Sequence, residues 1–172
     1  MNRVYLLSLL ASFVIADQIT PQLNKPISGG EFTFYGASGR GACGLDVQNL
    51  SAAVSGSLFD SNGQWVPSNL PDGRYILDDP VCRGICVQIE YKGKTAVFPA
   101  DNKCPECAVD HVDLSTDAFL ILEPAGGTVG IAKPATITYL FCNQTSVVTS
   151  APSASSSASP SASSSASPAS GC

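Results

Sequence analysis

The sequence predicts an all-β domain, a small disulfide-stapled β-barrel with one short helix. Strand-like segments rich in β-branched and aromatic residues recur between turn residues through the central part of the chain. They span 31–35, 52–59, 74–77, 85–91, 95–100 and 135–141. Six of the seven cysteines lie in the same region. Many short strands with a single helix are typical of a small barrel.

The first strand-like segment alternates along its length. Phe32 and Phe34 fall on one face, so Thr33 and Tyr35 fall on the other. We interpret the face with Thr33 and Tyr35 as part of a surface groove, and burial of Tyr35 in the core is the alternative. The helical segment is 116–122, with Ser115 as its N-cap.

Residues 1–16 have the pattern of a secretory signal peptide. Arg3 supplies the positive start, an apolar stretch follows, and Val14-Ile15-Ala16 forms a small-residue cleavage site. The apolar stretch is too short to span a bilayer. We therefore expect a protein that is secreted to the extracellular space or the cell wall and is not bound to a membrane.

The cysteine count indicates disulfides. Six cysteines lie between positions 43 and 142, and an even set in a secreted chain predicts three bridges with 15 connectivities. Zinc is the alternative, since Cys82-x3-Cys86 and Cys104-x2-Cys107 look like half-sites. The secreted context favours bridges, so we expect no metal and no cofactor. Cys172 is left over, either free or paired with another molecule.

Composition divides the chain into four parts. We expect a signal peptide at 1–16, an N-terminal extension at 17–28, the barrel domain at 29–143 and a low-complexity tail at 144–172. The tail is nearly all Ser, Ala and Pro and repeats SASSSASP, a composition that does not fold into a packed core. Asn49-Leu-Ser51 and Asn143-Gln-Thr145 are N-glycosylation sequons.

The net charge narrows the choice of partner. A formal charge of −5 argues against a nucleic-acid binder, which needs Lys and Arg to neutralise phosphates. We expect a neutral polymer or a small molecule as the partner of a monomeric protein. The most informative stretch is 101–115, which combines Asp101, Asp113 and His111, the only histidine, and predicts a polar site at the lip of the barrel.

The order and spacing of several motifs resemble those of expansins. The motifs are, in chain order, Gly30-Glu-Phe-Thr33-Phe-Tyr35-Gly36, Gly41-Ala-Cys43-Gly44, Cys82-Arg-Gly84-Ile-Cys86, Asp101 and His111-Val-Asp113-Leu-Ser115. The resemblance covers about residues 30–142 and includes the fungal loosenins. At greater distance it includes barwin, rare-lipoprotein-A-like proteins and family 45 glycoside hydrolases.

This resemblance implies a six-stranded double-psi β-barrel with an open groove that binds extended wall polysaccharides. It also implies the disulfides Cys43–Cys82, Cys86–Cys142 and Cys104–Cys107. Full expansins carry a second, carbohydrate-binding domain that this chain has no sequence left to form, and the single-domain loosenins match better.

The aspartates decide whether such a groove could hydrolyse the polysaccharide that it binds. Asp113 matches the general acid of the family 45 hydrolases, and is the candidate catalytic residue. Glycoside hydrolysis needs a second carboxyl group, but Thr33 stands where those enzymes carry it. Asp101 is the alternative second carboxyl group. We therefore expect binding without hydrolysis, and an enzyme is not the favoured interpretation.

We expect a secreted expansin-like protein that binds and loosens cell-wall polysaccharide, such as cellulose or chitin. The expected polysaccharide-binding residues are Thr33, Tyr35, Asp101, His111 and Asp113. One alternative is an endoglucanase or lytic transglycosylase that uses Asp113 as general acid. The other is a secreted protease inhibitor or effector, because barwin-like barrels also have such roles. We interpret Trp65, in the turn-like stretch 61–67, as covering a loop, with stacking on a sugar as the alternative.

Overall fold

The computed structural model describes residues 18–146, which form eight β-strands and one α-helix. These are β1 (Ile27–Tyr35), β2 (Ala52–Ser55), β3 (Gln64–Pro67), β4 (Tyr75–Asp78), β5 (Ile85–Tyr91), β6 (Lys94–Cys104), β7 (His111–Ser115), α1 (Thr116–Leu122) and β8 (Ala132–Phe141). The predicted signal peptide, Cys172 and the tail from residue 147 lie outside the described residues.

Six strands close into a barrel in the order β1-β7-β2-β6-β5-β8, and β3 pairs with β4 outside it. The pairs β1–β7 and β2–β6 are parallel, whereas the other barrel pairs are antiparallel. This is a double-psi β-barrel, and the prediction of an all-β barrel with one short helix is confirmed.

The barrel interior is filled by aromatic and branched side chains. Phe32, Phe98 and Tyr139 are fully buried, and the Phe32 ring meets the Tyr91 ring edge-on at 5.0 Å between centroids. α1 closes one side, since its buried Phe119 packs against Phe32 at 5.1 Å. As predicted, α1 spans 116–122 and Ser115 caps it by accepting a hydrogen bond from the Ala118 amide.

Several strand predictions differ from the structure. β7 was not predicted as a strand, and β1, β6 and β8 are longer than their predicted ranges. The predicted strand 52–59 stops at Ser55, because the Ser55 hydroxyl accepts the Ser57 amide and starts the short 3₁₀ turn Gly56–Leu58. The stretch 61–67, expected to be turn-like, contains β3. A four-residue strand with only one partner has too little hydrophobic alternation to distinguish it from a loop.

Three disulfides staple the barrel and its attachments. Cys43 bonds Cys82, Cys86 bonds Cys142 and Cys104 bonds Cys107. The first two close long segments, with sequence separations of 39 and 56 residues. Constraints of this length remove much of the freedom of the unfolded chain.

The residues before β1 pack onto the barrel. Ile19 is 1% exposed and belongs to the core, and the Asn24 amide donates to the Tyr139 carbonyl at 2.7 Å. β1 itself begins at Ile27, two residues before the predicted domain start. Among residues 18–146, no helix has the length and apolar character needed to cross a bilayer.

Candidate functional site

A polar cluster lies where β1 runs beside β7. The parallel register places Thr33 opposite Asp113 and Glu31 opposite His111. The Thr33 hydroxyl donates to Asp113 Oδ1 at 2.7 Å and lies 2.9 Å from His111 Nε2. A hydroxyl has one proton, so Thr33 accepts from the protonated Nε2 of His111 while it donates to the carboxylate.

The cluster continues beyond His111 to a second charge pair. His111 Nδ1 lies 3.6 Å from Glu31 Oε1, and Lys133 Nζ donates to Glu31 Oε2 at 3.1 Å. The two ring nitrogens of His111 therefore face Thr33 on one side and the Glu31 carboxylate on the other. Lys133, Glu31, His111, Thr33 and Asp113 thus form one continuous polar chain across three strands.

Asp113 is half-buried and lies at one end of this row of polar side chains. Burial raises the pKa of its carboxyl group above the ordinary value of 3.8, while the Thr33 hydrogen bond and the nearby His111 oppose that rise. A carboxyl group of raised pKa can serve as a proton donor. Its hydrogen-bond partner among the described residues is the Thr33 hydroxyl. The Glu106 carboxylate is close enough to raise the pKa of Asp113 further, but it does not hydrogen-bond to Asp113.

Tyr35 is half-buried at the end of β1, on the same strand face as Thr33. Its ring packs against the small cluster of Ala53, Cys104 and Cys107, and its hydroxyl accepts a hydrogen bond from Asn102 Nδ2 at 3.3 Å. Burial raises the pKa of the Tyr35 hydroxyl, and the charges of Asp101 and Asp113 raise it further. Tyr35 therefore links the end of β1 to β6.

Asp101 has a different position from the other expected site residues. It is 5% exposed, and its Oδ2 accepts the Gln48 amide at 2.9 Å, which fastens the loop after β1 to β6. Its Oδ1 is buried without a hydrogen-bond partner. Burial raises the pKa of Asp101. Asn102 fastens the same loop by accepting the Ala42 amide at 2.9 Å.

The β3–β4 hairpin forms a second surface, outside the barrel. Trp65 is 55% exposed and Tyr75 is 57% exposed. The Trp65 ring lies against the turn at Gly44, where a Cβ would be 2.9 Å from it, and the rest of the indole is exposed. The indole is exposed because β3 has β4 as its only strand partner and lies outside the barrel wall.

The two sequon asparagines, Asn49 and Asn143, are both exposed to solvent. Within residues 18–146 no group of three or more His, Cys, Asp or Glu side chains is arranged to hold a metal ion. The six cysteines of this region are all in disulfides.

Sequence reasoning missed three members of the polar cluster and its surroundings. Glu31 lies two residues before Thr33 on the same strand face, so strand alternation could have found it. Asn102 follows Asp101 but gave no separate signal. Lys133 is 102 residues from Glu31, and only the closure of the barrel by β8 brings the two together.

The chain is similar in sequence to two proteins of known name. No family model matches the chain. The chain is 37% identical over 95 residues to a papain inhibitor of Streptomyces mobaraensis, covering 55% of this chain and 60% of the inhibitor. It is 36% identical over 93 residues to an Asp f 7 allergen homolog of Arthroderma benhamiae, covering 52% of this chain and 27% of the homolog. The chain thus spans less than two thirds of the length of either relative.

Among solved structures, the Streptomyces papain inhibitor superposes with a TM-score of 0.53 and 29% identity, covering 69% of this chain and 96% of the inhibitor. An expansin from Clavibacter michiganensis gives a TM-score of 0.44 and 20% identity, covering 68% of this chain and 50% of the expansin. At that level the likeness to the expansin carries no information about function.

These findings correct two expectations. The hypothesis that the chain loosens cell-wall polysaccharide is wrong, because both its sequence and its fold match papain inhibitors. The expectation of cellulose, chitin or a related glycan as its partner is wrong for the same reason. The motifs that suggested expansins describe the barrel, which proteins of different function share.

Proposed function

We propose that this protein inhibits a cysteine protease of the papain class. The observation that carries the proposal is the 37% identity over 95 residues to a papain inhibitor. The structural match supports it, because it extends over 96% of the solved Streptomyces papain inhibitor. Protease inhibition is the alternative to polysaccharide binding that the sequence leaves open.

The architecture suits inhibition by occlusion. A protein that blocks a protease presents a surface whose shape is set before binding, so that little ordering entropy opposes the complex. Here a closed barrel and three disulfides fix the backbone that carries the exposed hairpin. Occlusion requires no reacting group on the inhibitor, so it does not need a second carboxyl group beside Asp113.

We infer that the expected site residues hold the barrel surface in shape. Thr33 engages Asp113 and His111 at the same time, Tyr35 packs on the Cys104–Cys107 loop, and Asp101 fastens a neighbouring loop. These contacts lie within the protein, and each of them fixes one segment to another.

The proposal includes export. The disulfides support an oxidising compartment. We propose that 1–16 is a signal peptide, that 17–28 precedes the barrel domain at 29–143, and that 144–172 is a low-complexity tail. The solvent accessibility of Asn49 and Asn143 supports their glycosylation.

The test is inhibition of papain by the disulfide-bonded protein. Residual papain activity on a fluorogenic peptide is measured against increasing protein, with trypsin as the serine-protease control. We expect papain activity to fall to near zero and trypsin activity to stay unchanged. Full papain activity at a large molar excess of the protein would contradict the proposal.

A further inference from the structure

The β3–β4 hairpin carries the two most exposed aromatic side chains among the described residues, Trp65 and Tyr75. Trp65 and Tyr75 are each more than half exposed, and Leu70, 38% exposed, lies on the loop between the strands. The register pairs Trp65 with Leu77 and Pro67 with Tyr75, so these four side chains share one face of the hairpin. Tryptophan and tyrosine are among the residues that most often dominate binding energy at interfaces.

The loop at 68–74 is held in one shape by its own contacts. The Ser68 amide donates to the Arg74 carbonyl at 3.0 Å, and the Gly73 amide donates to the Leu70 carbonyl at 2.9 Å. Gly73 adopts a φ of +64°, which glycine accepts without strain. Pro71 restricts its own φ and stiffens the apex next to Leu70.

Charged side chains at the base of the loop neutralise each other. Arg74 donates to Asp72 at 2.6 Å and to Asp46 at 2.7 Å. Arg40 lies 3.7 Å from Asp72, so two arginines balance two aspartates. Docking of the loop would therefore bring paired charges into an interface and leave no bare charge behind. The apex itself, 69–71, carries no charged residue.

The hairpin is also fixed relative to the barrel. The Leu77 amide donates to the Cys43 carbonyl at 3.0 Å, and Cys43 is bonded to Cys82. After β4, buried Asp79 accepts the amides of Asp60 and Val81, both at 2.8 Å. The loop thus projects from a fixed base.

We propose that the 68–74 loop enters the substrate cleft of the papain-class protease, with Leu70 as its apolar anchor and Trp65 and Tyr75 at its flank. A protease cleft is concave and binds an extended peptide segment, and a short, preorganised loop with an uncharged apex suits such a cleft. This assignment rests on the proposed function. It adds to it the surface that makes contact and the part of the protease that is blocked.

The test compares inhibition constants for papain among exposed-residue variants. Leu70→Asp should raise the constant about 30-fold or more, the size expected at a binding hot spot, and Trp65→Ala or Tyr75→Ala about 5-fold or more. Ile131→Ala is the matched control, since Ile131 is 53% exposed and lies outside the hairpin, just before β8. Thermal unfolding confirms that each variant is folded.

The outcomes separate the two proposals. A wild-type protein that leaves papain fully active overturns the proposed function. A wild-type protein that inhibits, together with a folded Leu70→Asp variant that inhibits equally well, overturns the loop assignment alone. An Ile131→Ala variant that loses as much inhibition as Leu70→Asp also overturns it. Loss of inhibition confined to the hairpin variants supports it.

Discussion

The Thr33 hydroxyl donates to Asp113 Oδ1 at 2.7 Å across the parallel β1–β7 pair, while it lies 2.9 Å from His111 Nε2. One hydroxyl therefore connects an acidic and a basic side chain at the lip of the barrel. The contact gives His111 Nε2 a hydrogen-bond partner and supplies the half-buried Asp113 with a donor. Both effects depend on a single atom of Thr33.

Replacing that atom gives the first prediction. Thr33→Val keeps the side-chain shape and removes the hydroxyl, so Asp113 should lose a donor that lowers its pKa. We expect the pKa of Asp113 to rise in carboxyl-carbon NMR titration. The free energy of unfolding in urea should fall by about 1–3 kcal/mol, the cost of leaving a buried polar group unpaired.

The control for this variant is Thr95→Val. Thr95 is exposed near the start of β6, and its replacement should leave both the pKa of Asp113 and the unfolding free energy within experimental error. An unchanged pKa of Asp113 in Thr33→Val would show that the hydroxyl does not stabilise the carboxylate.

Asp101 gives a prediction about pH. Burial raises its folded-state pKa above 3.8, the ordinary value, so the folded protein favours the protonated acid. Its stabilising contribution is complete below the unfolded pKa and is lost as the pH rises through the folded pKa. Asp101→Asn keeps an oxygen for the Gln48 amide and removes this loss. The variant should therefore gain stability relative to the wild type as the pH rises from about 3 toward about 7. This range includes the ordinary pKa of an aspartate.

Urea unfolding at a series of pH values measures this difference. Asp117→Asn serves as the control, because Asp117 lies in the first turn of α1 and its replacement should lower the stability where Asp101→Asn raises it. Its loss should destabilise the protein at neutral pH by about 0.3–1 kcal/mol through the helix dipole. A stability difference for Asp101→Asn that is constant with pH would contradict the account.

The two long disulfides should contribute similar amounts to the stability of the protein but differ in their effect on inhibition. Bridges with separations of 39 and 56 residues should each contribute about 4 kcal/mol in the chain-entropy account. Only Cys43–Cys82 lies beside the hairpin, through the Leu77 to Cys43 hydrogen bond. At a temperature where both double variants are folded, Cys43→Ala with Cys82→Ala should weaken papain inhibition more than Cys86→Ala with Cys142→Ala.

Equal inhibition by the two folded double variants would mean that the position of the hairpin does not matter. Both should show the loss of unfolding free energy in urea, which makes that measurement the internal check on the comparison.

Gly44 tests how closely the hairpin approaches the barrel. A Cβ at Gly44 would lie 2.5 Å from the Tyr75 carbonyl oxygen and 2.9 Å from the Trp65 ring, and φ is +78°. Gly84 has a similar φ of +86° but open space around it. Gly84→Ala therefore measures the backbone cost alone, which should exceed about 1 kcal/mol, and Gly44→Ala adds displacement of the hairpin.

Trp65 is the only tryptophan in the chain, so its fluorescence reports the displacement. We expect the emission spectrum to shift in Gly44→Ala and to match the wild type in Gly84→Ala. A spectrum unchanged by Gly44→Ala would show that the indole does not contact this turn.

The regular parts of the fold could be predicted from the sequence because their patterns are local. The strand-forming residues of β5 and the capped segment of α1 each carry their own signal, and both occupy the predicted ranges, 85–91 and 116–122. β3 was missed because four residues paired with one partner strand show no clear alternation. The polar chain from Lys133 to Asp113 needs barrel closure, which no local pattern of residues reveals.

The function was predicted wrongly for a related reason. The motifs around Thr33, Cys43 and Asp113 belong to strand edges and tight turns of the barrel, and so they identified the architecture. The hairpin that we assign to protease contact lies outside that framework. Its exposed Trp65 and Tyr75 were not recognisable as one surface until β3 and β4 were paired.

The central claim is tested most directly by measuring the binding of one protein preparation to two kinds of target. Isothermal titration into papain should give saturable binding, and sedimentation with insoluble cellulose and chitin should leave the protein in the supernatant. Retention on either glycan together with no heat of binding to papain would contradict the account.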